Sequence, residues 1–275
     1  MPIVVYNPTT PGRRTMTVLR EPNVHKGKPE KSLLIKLHQD SGRNNHGRIT
    51  SRRRGNGEKR MYRIVDWHRD HDGVPARVDS IQHDPYRSAN IALLHYADGR
   101  KSYILAPLGL KTGDTVVSGP AAEPRLGNCL PLSKMPLGSP MHCVELVPGQ
   151  GAKLGRAAGT SISLASREGD YATLIMPSGE MRKVHVDCRA SYGQVGNIDH
   201  ALESIGKAGR NRHKGIRPSV RGSAMSPYAH PLGGGEGRMG AGRTPCSPWG
   251  KIAKGGKTRS PKKTSGRLIV RKRKK

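Results

Sequence analysis

The sequence predicts a mainly β protein of two small barrels with long, irregular, basic N- and C-terminal extensions. Three observations carry that prediction. Short apolar stretches with strand alternation recur between turn signals through the middle of the chain. Lys and Arg concentrate at both ends instead of forming one patch. With 35 Gly, 21 Pro, 4% aromatic residues and no Phe, the chain has many turns and a thin aliphatic core. Its 275 residues therefore do not condense into one large globule.

Charge sets the divisions. Residues 1–69 carry 16 Lys and Arg against 5 Asp and Glu. Residues 70–199 balance at 13 against 13, and residues 200–275 carry 20 against 2, with no acid after Glu236. A net charge of +29 makes the free chain repel itself and calls for a polyanionic partner. Nucleic acid and an anionic membrane are the two choices. No stretch approaches the roughly 20 apolar residues that a membrane span needs, so no membrane partner is expected. Met1–Tyr6 has neither the basic flank nor the length of a signal peptide. Thr9, Thr10, Arg13 and Arg14 are the presequence-like residues, and a cytoplasmic protein is expected over an organellar one. The expected segments are a basic N-terminal extension over 1–59, barrels over 60–125 and 126–195, and a basic Gly-rich C-terminal extension over 196–275.

In chain order, Tyr62–Trp67 and Val74–Ile81 alternate as strands. Ile91–Tyr96 and Lys101–Leu105 flank an Asp98-Gly99 turn and read as a β-hairpin, followed by a short strand over Gly113–Val117. A second group begins near Gly127. It contains His142–Leu146 and Tyr171–Met176, then a Pro177-Ser178-Gly179 turn and Glu180–Val186. Roughly 60 residues per group suits one small barrel each, near the lower limit for a stable core. The one helix expected is brief, Ile198 to Ile205, with Asn197 as its N-cap and Gly206 as its stop.

The arms carry the chemistry. In the first, Arg43, Asn44, Asn45, Arg48, Arg52, Arg53, Arg54, Lys59 and Arg60 are interleaved with Gly. Arg forks hold phosphate bidentately, and Asn amides can bond base edges or 2′-hydroxyls. Glycine lets the backbone approach RNA where a β-carbon would collide. The second arm supplies Lys207, Arg210, Arg212, Arg217, Arg221, His230, Arg238, Arg243, Lys257 and Arg259, and Arg87 adds a cation from the middle. No long regular helix or strand is expected there. A structureless stretch of this length is foreign to a compact domain, but it suits a peptide threaded through folded RNA.

Other chemistries fit poorly. Cys129, Cys143, Cys188 and Cys246 are scattered, and His185 with Cys188 is a single close pair where a zinc site needs two. No metal and no cofactor are expected. Gly206-Lys207 is followed by Ala208 and lacks the glycine spacing of a phosphate loop, and Gly149-x-Gly151 runs on to Leu154 where a dinucleotide fingerprint needs Gly. His230 is the one general-base candidate, but Ala229 and Pro231 beside it have no side chain to orient an imidazole, which leaves that role to Glu236 after folding. Three readings are therefore ranked: a structural binder of folded RNA, a free-standing nucleic-acid binder, and last an enzyme using His230.

The Gly42–Arg60 segment, Asp84–Leu93, Tyr103–Pro107 and Gly127–Leu132 resemble the universal L-two family of large-subunit ribosomal proteins, in its bacterial form. So do Pro177–Arg182, Gly193–Asn197 and the Gly233–Gly237 loop, and the order is kept from about residue 35 onward. The resemblance implies an oligonucleotide-binding-type barrel over 60–125 and an SH3-like barrel over 126–195. It implies extensions that enter large-subunit rRNA near the peptidyl-transferase region. The implied partners are that rRNA, neighbouring ribosomal proteins, the small subunit through an intersubunit bridge, and tRNA indirectly. No residue is assigned to catalysis, because peptide-bond chemistry in that setting belongs to RNA. The family loop Asn-Pro-Val-Asp-His-Pro-His is altered here: Ser226 replaces Asn, Tyr228 Val, Ala229 Asp and Leu232 the second His. His213-Lys214 stands where Trp is usual, and Arg53 and Asn56 replace the usual His and Gly.

Overall fold

The computed structural model describes residues 3–39, 41–237, 240 and 242–273. The chain divides into two compact units. One holds residues 3–38, 59–207 and 267–273, and the other the described residues of 39–58 and 208–266. Among the described residues, every strand that enters a sheet belongs to the first unit.

That unit opens with β1 (Ile3–Val5) antiparallel to β2 (Thr17–Leu19), then β3 (Val24–His25) and β4 (Leu34–Ile35), which pairs with β5 (Tyr62–Arg63). The oligonucleotide-binding-type barrel follows: β6 (Ala76–Gln82), β7 (Ile91–Tyr96), β8 (Lys101–Leu105) and β9 (Thr115–Val116). Its order is β3-β6-β7-β8, with β9 on β6 and β3 parallel to β6. The unbroken apolar run of β7 has a reason. Ala92, Leu94 and Tyr96 join Ala76, Val78 and Val116 on one face, while Ile91 and Leu93 join Val65, Tyr103 and Leu105 on the other. A strand covered on both faces cannot afford polar alternation. Tyr103 is fully buried, and its hydroxyl is satisfied by donating to Gln82 Oε1 at 2.9 Å and accepting from Glu30 N–H at 3.0 Å.

The SH3-like barrel comprises β10 (Cys129–Pro131), β11 (Pro140–His142), β12 (Ile162–Glu168), β13 (Tyr171–Ile175), β14 (Met181–His185) and β15 (Arg189–Tyr192). The sheet is completed from the far end of the chain by β16 (Ile269–Arg271), in the order β10-β15-β11-β12-β13-β14-β16. Here Ala172 and Leu174 enter a core with Leu130, Met141, Ile162 and Leu164, while on the other face Tyr171 and Ile175 are exposed and Thr173 between them is buried. Each buried Leu or Ile contributes about 1.5–3 kcal/mol by leaving water.

A polar seam fastens the two barrels. The Arg189 guanidinium forks onto both Asp72 carboxylate oxygens at 2.6 and 2.7 Å, and its Nη1 also donates to Arg69 O at 2.8 Å. Buried Arg69 donates from Nε to Ser118 Oγ at 3.0 Å. Glu145, 1% exposed, accepts backbone N–H groups from Gly149, Gly151 and Arg189 at 3.2, 2.8 and 3.0 Å. The balanced charges of the middle segment are in part this internal pairing.

Several expectations are corrected. Only Tyr62–Arg63 of the predicted 62–67 strand is extended in a sheet; beyond it Asp66 Oδ1 accepts from the N–H groups of His68 and Arg69 and bends the chain. The strand predicted from His142 ends there, because Cys143 takes φ +50°. The helix expected over 198–205 is a 3-10 helix, Ile198–Leu202, and Asn197 is no cap: it lies at φ +58°, and its amide donates to Ser88 O at 2.6 Å.

His142 makes one prediction. It is buried, its Nδ1 lies 2.8 Å from Gly193 O, and burial pushes its pKa from 6.5 down to about 4. An unfolded chain binds this proton below about 6.5 and the folded one does not until about 4. Its contribution is therefore whole above pH 6.5 and lost as pH falls toward 4, on the order of 3 kcal/mol in all. In denaturation series across that window, His142→Asn should be less stable at neutral pH but show a flatter pH dependence. An unchanged slope would contradict this.

Candidate nucleic-acid interface

In the second unit, the backbone of 39–58 lies against that of 208–217. Gly55 N–H donates to Gly215 O at 2.7 Å, Arg217 N–H to Arg53 O at 3.1 Å, and Glu58 N–H to His213 O at 2.9 Å. Arg54 and Ile216 form an isolated bridge. Two basic segments 150 residues apart in sequence thus make one unit, a pairing that charge and composition do not encode.

The pairing rests on a short helix that the sequence reading did not place, α1 (Ala208–His213). Gly215 at φ +86° ends it: Gly215 N–H bonds Arg212 O and Ile216 N–H bonds Asn211 O, the two bonds of a Schellman cap. The signal was limited to Gly215 as a stop, because Gly209, Asn211 and His213 are weak helix formers and six residues is below what propensity alone supports. On the other side, Asn44 closes a tight turn, its Oδ1 accepting from the N–H groups of His46 and Arg48 at 3.1 and 3.0 Å. Arg43 Nη1 donates to Gly47 O at 2.7 Å across the same turn. Asn44 is therefore first a turn residue.

Arg43, Arg52, Arg53, Arg54, Arg212 and Arg217 line one cleft of about 770 Å³. Among the described residues lining it, the one carboxylate is Glu58, which His213 Nδ1 meets at 3.0 Å. Asn45 and Arg48 are exposed at the turn tip, and Arg221, Arg243 and Lys257 are exposed outside the cleft lining. Arg210 is half-buried, and exposed Arg259 donates to Ser265 Oγ at 2.8 Å. Arg238 lies outside the described residues. His230 is buried; its Nδ1 accepts from Leu232 N–H at 3.1 Å, which leaves the ring hydrogen on Nε2.

The remaining sites lie in the first unit. Lys59 and Lys207 are exposed. Arg60 and Arg87 belong to a ladder of cations and rings. Arg60 lies 4.6 Å over Tyr86, Tyr86 meets Tyr62 edge-on, and Arg87 lies 5.0 Å over Tyr62 and 5.3 Å over Trp67. Arg156, which the sequence reading missed, closes it at 4.7 Å over Trp67. Arg87 also pairs with fully buried Asp84 and donates to Tyr62 Oη at 2.8 Å. Its guanidinium organises this face of the first barrel.

Burial pushes the thiols of Cys143 and Cys188 up to about 12 and raises that of Cys129, so they remain protonated near neutrality. Among the described residues, no group of three or more His, Cys, Asp or Glu is placed to hold a metal. A cleft lined by six arginines on a backbone-braced frame has the chemistry to hold polyanionic oxygen.

Residues 30–118 match the family described as Ribosomal Proteins L2, RNA binding N-terminal domain, and residues 125–250 match Ribosomal Proteins L2, C-terminal domain. The chain is similar to the large ribosomal subunit protein uL2 of Thiobacillus denitrificans, 54% identical over 273 residues that cover 99% of each chain. It is likewise 53% identical to the large ribosomal subunit protein uL2 of Burkholderia cenocepacia over 274 residues, a coverage of 100% of each chain to the nearest per cent. The chain thus belongs to the ribosomal protein L2 family in its bacterial form, a family of structural RNA-binding proteins and not of enzymes.

Proposed function

We propose that the chain is a structural constituent of the large subunit of the cytoplasmic ribosome, and that its second unit grips large-subunit rRNA near the peptidyl-transferase region. Through that placement it supports association with the small subunit across an intersubunit bridge, tRNA placement and peptide-bond formation. It touches neighbouring ribosomal proteins and acts on tRNA only indirectly. The observation that carries the reading is the convergence of six arginines on one cleft, with a single carboxylate already paired to a histidine. Isolated guanidinium groups crowded this way repel one another, and bound phosphates remove that repulsion.

The test is sedimentation of a tagged full-length chain from native lysate through a high-salt gradient. Comigration with the large subunit after a stringent wash is expected. Recovery only at the top of the gradient would reduce the protein to a loose nucleic-acid binder. Cleavage tethered to exposed Arg48, replaced by Cys and loaded with an iron chelate, should cut rRNA beside the peptidyl-transferase centre; cuts confined to distant rRNA would overturn the placement.

A further inference from the structure

Ser-Pro-aromatic occurs twice in the second unit, as Ser226-Pro227-Tyr228 and Ser247-Pro248-Trp249. Both copies fold alike. In each the Ser carbonyl accepts the N–H three residues on, from Ala229 and from Gly250, both at 2.9 Å. Pro then sits at the second turn position, where its fixed φ is pre-set, and the aromatic at the third. Tyr228 is 103% exposed and Trp249 77%.

The turns are braced from behind. His230 N–H bonds Ser226 O at 3.2 Å, Gly234 N–H bonds Met225 O at 3.0 Å, and the His230 ring lies against Gly222, where a β-carbon would come within 2.5 Å of Cε1. In the second copy, Ser247 N–H bonds Lys251 O and Ala253 N–H bonds Pro245 O, both at 2.8 Å. The altered family loop gains a meaning from this: buried His230 braces the turn that holds out Tyr228.

These two are the only aromatic residues of the second unit's sequence. In the first unit, Tyr96 and Tyr103 are buried, Tyr62, Trp67 and Tyr86 are stacked, and the exposed ring of Tyr171 meets His185 edge-on. Rings held out on rigid turns cost solvation and gain nothing within the chain. The surrounding sequence, residues 39–58 and 208–266, carries 18 Lys and Arg against 3 Asp and Glu, so the partner is an RNA strand rather than a protein. We propose that Tyr228 and Trp249 are stacking platforms for unpaired RNA bases, each turn presenting one ring face to one base. Every base has a π-face, and a ring already fixed in place loses little entropy on stacking. The proposal rests on the rRNA-binding reading above.

The experiment is titration of the full chain with protein-free large-subunit rRNA at fixed salt. Tyr228→Ala and Trp249→Ala should each weaken binding about 5- to 150-fold, the equivalent of about 1–3 kcal/mol per stacked base. Tyr228→Phe and Trp249→Phe, which keep a ring, should recover most of it, and the log–log salt slope should not change because no charge is removed. Alanine variants that bind like the unaltered chain overturn the proposal and leave rRNA binding standing. Variants that bind rRNA normally but fail to enter particles overturn it in favour of a protein partner. An unaltered chain that does not bind rRNA overturns both readings.

Discussion

Between about 50 and 200 mM monovalent salt, the affinity of the full chain for large-subunit rRNA is expected to fall by about three to five orders of magnitude. The figure follows from the cleft. Six arginines line it, and exposed Arg48, Arg221, Arg243 and Lys257 stand outside it. Engagement of about six to ten phosphates releases a comparable number of counterions, and log K falls linearly with log salt. Filter binding at four salt concentrations gives the slope directly. Arg52→Ala should cost little affinity at low salt, because many contacts share the work, yet it should lower the slope by about one. Replacing Arg52, Arg53 and Arg54 together should lower it by about three. A slope near zero would mean that the cleft is not where RNA binds.

Glu145→Ala is expected to destabilise the chain by about 3–5 kcal/mol, the range for breaking a buried charged hydrogen-bond set. The carboxylate is 1% exposed and is acceptor to three backbone N–H groups, two in the 149–151 turn and one on Arg189, whose side chain ties the barrels through Asp72. Alanine leaves those donors without partners in a dry site and opens a void beside Arg69. Urea denaturation should show a lowered midpoint with little change in slope. Glu145→Gln keeps one oxygen and should fall between. A loss of less than about 1 kcal/mol for the alanine variant would show that water replaces the carboxylate and that the seam is not dry.

The barrels were legible where a strand is covered in a regular way. Ile91–Tyr96, the Asp98-Gly99 turn and Lys101–Leu105 stand as the sequence reads them, because hydrophobic period and turn chemistry agree. Cys129–Pro131 and Arg189–Tyr192 were not found: three- and four-residue strands carry too few positions for a period to show. The first strands were hidden for another reason. Val24–His25 is extended because β6 offers it a parallel edge, and a two-residue partner leaves no local trace. The site divides the same way. Residue types and counts named the arginines, and Gly55 and Gly215 were visible as glycines, but the pairing of their backbones depends on distance in space. Arg87 shows the reverse error: its charge was legible, while buried Asp84 and the rings around it were not.

The pairing of β16 with β14 changes what kind of polymer the basic segment is. Met181 opposes Arg271, Arg182 opposes Ile269, and Lys183 N–H reaches Leu268 O at 2.8 Å. Residues 208–266 are therefore a ring closed at both ends by the folded barrels, not a tail with one free end. A ring has already lost the closure entropy that a tail would lose later, and that entropy grows only slowly with its length. Insertions within the ring are cheap for the same reason. A cut in it opens the ring, and the piece beyond the cut then joins the sheet through β16, a three-residue strand at its edge.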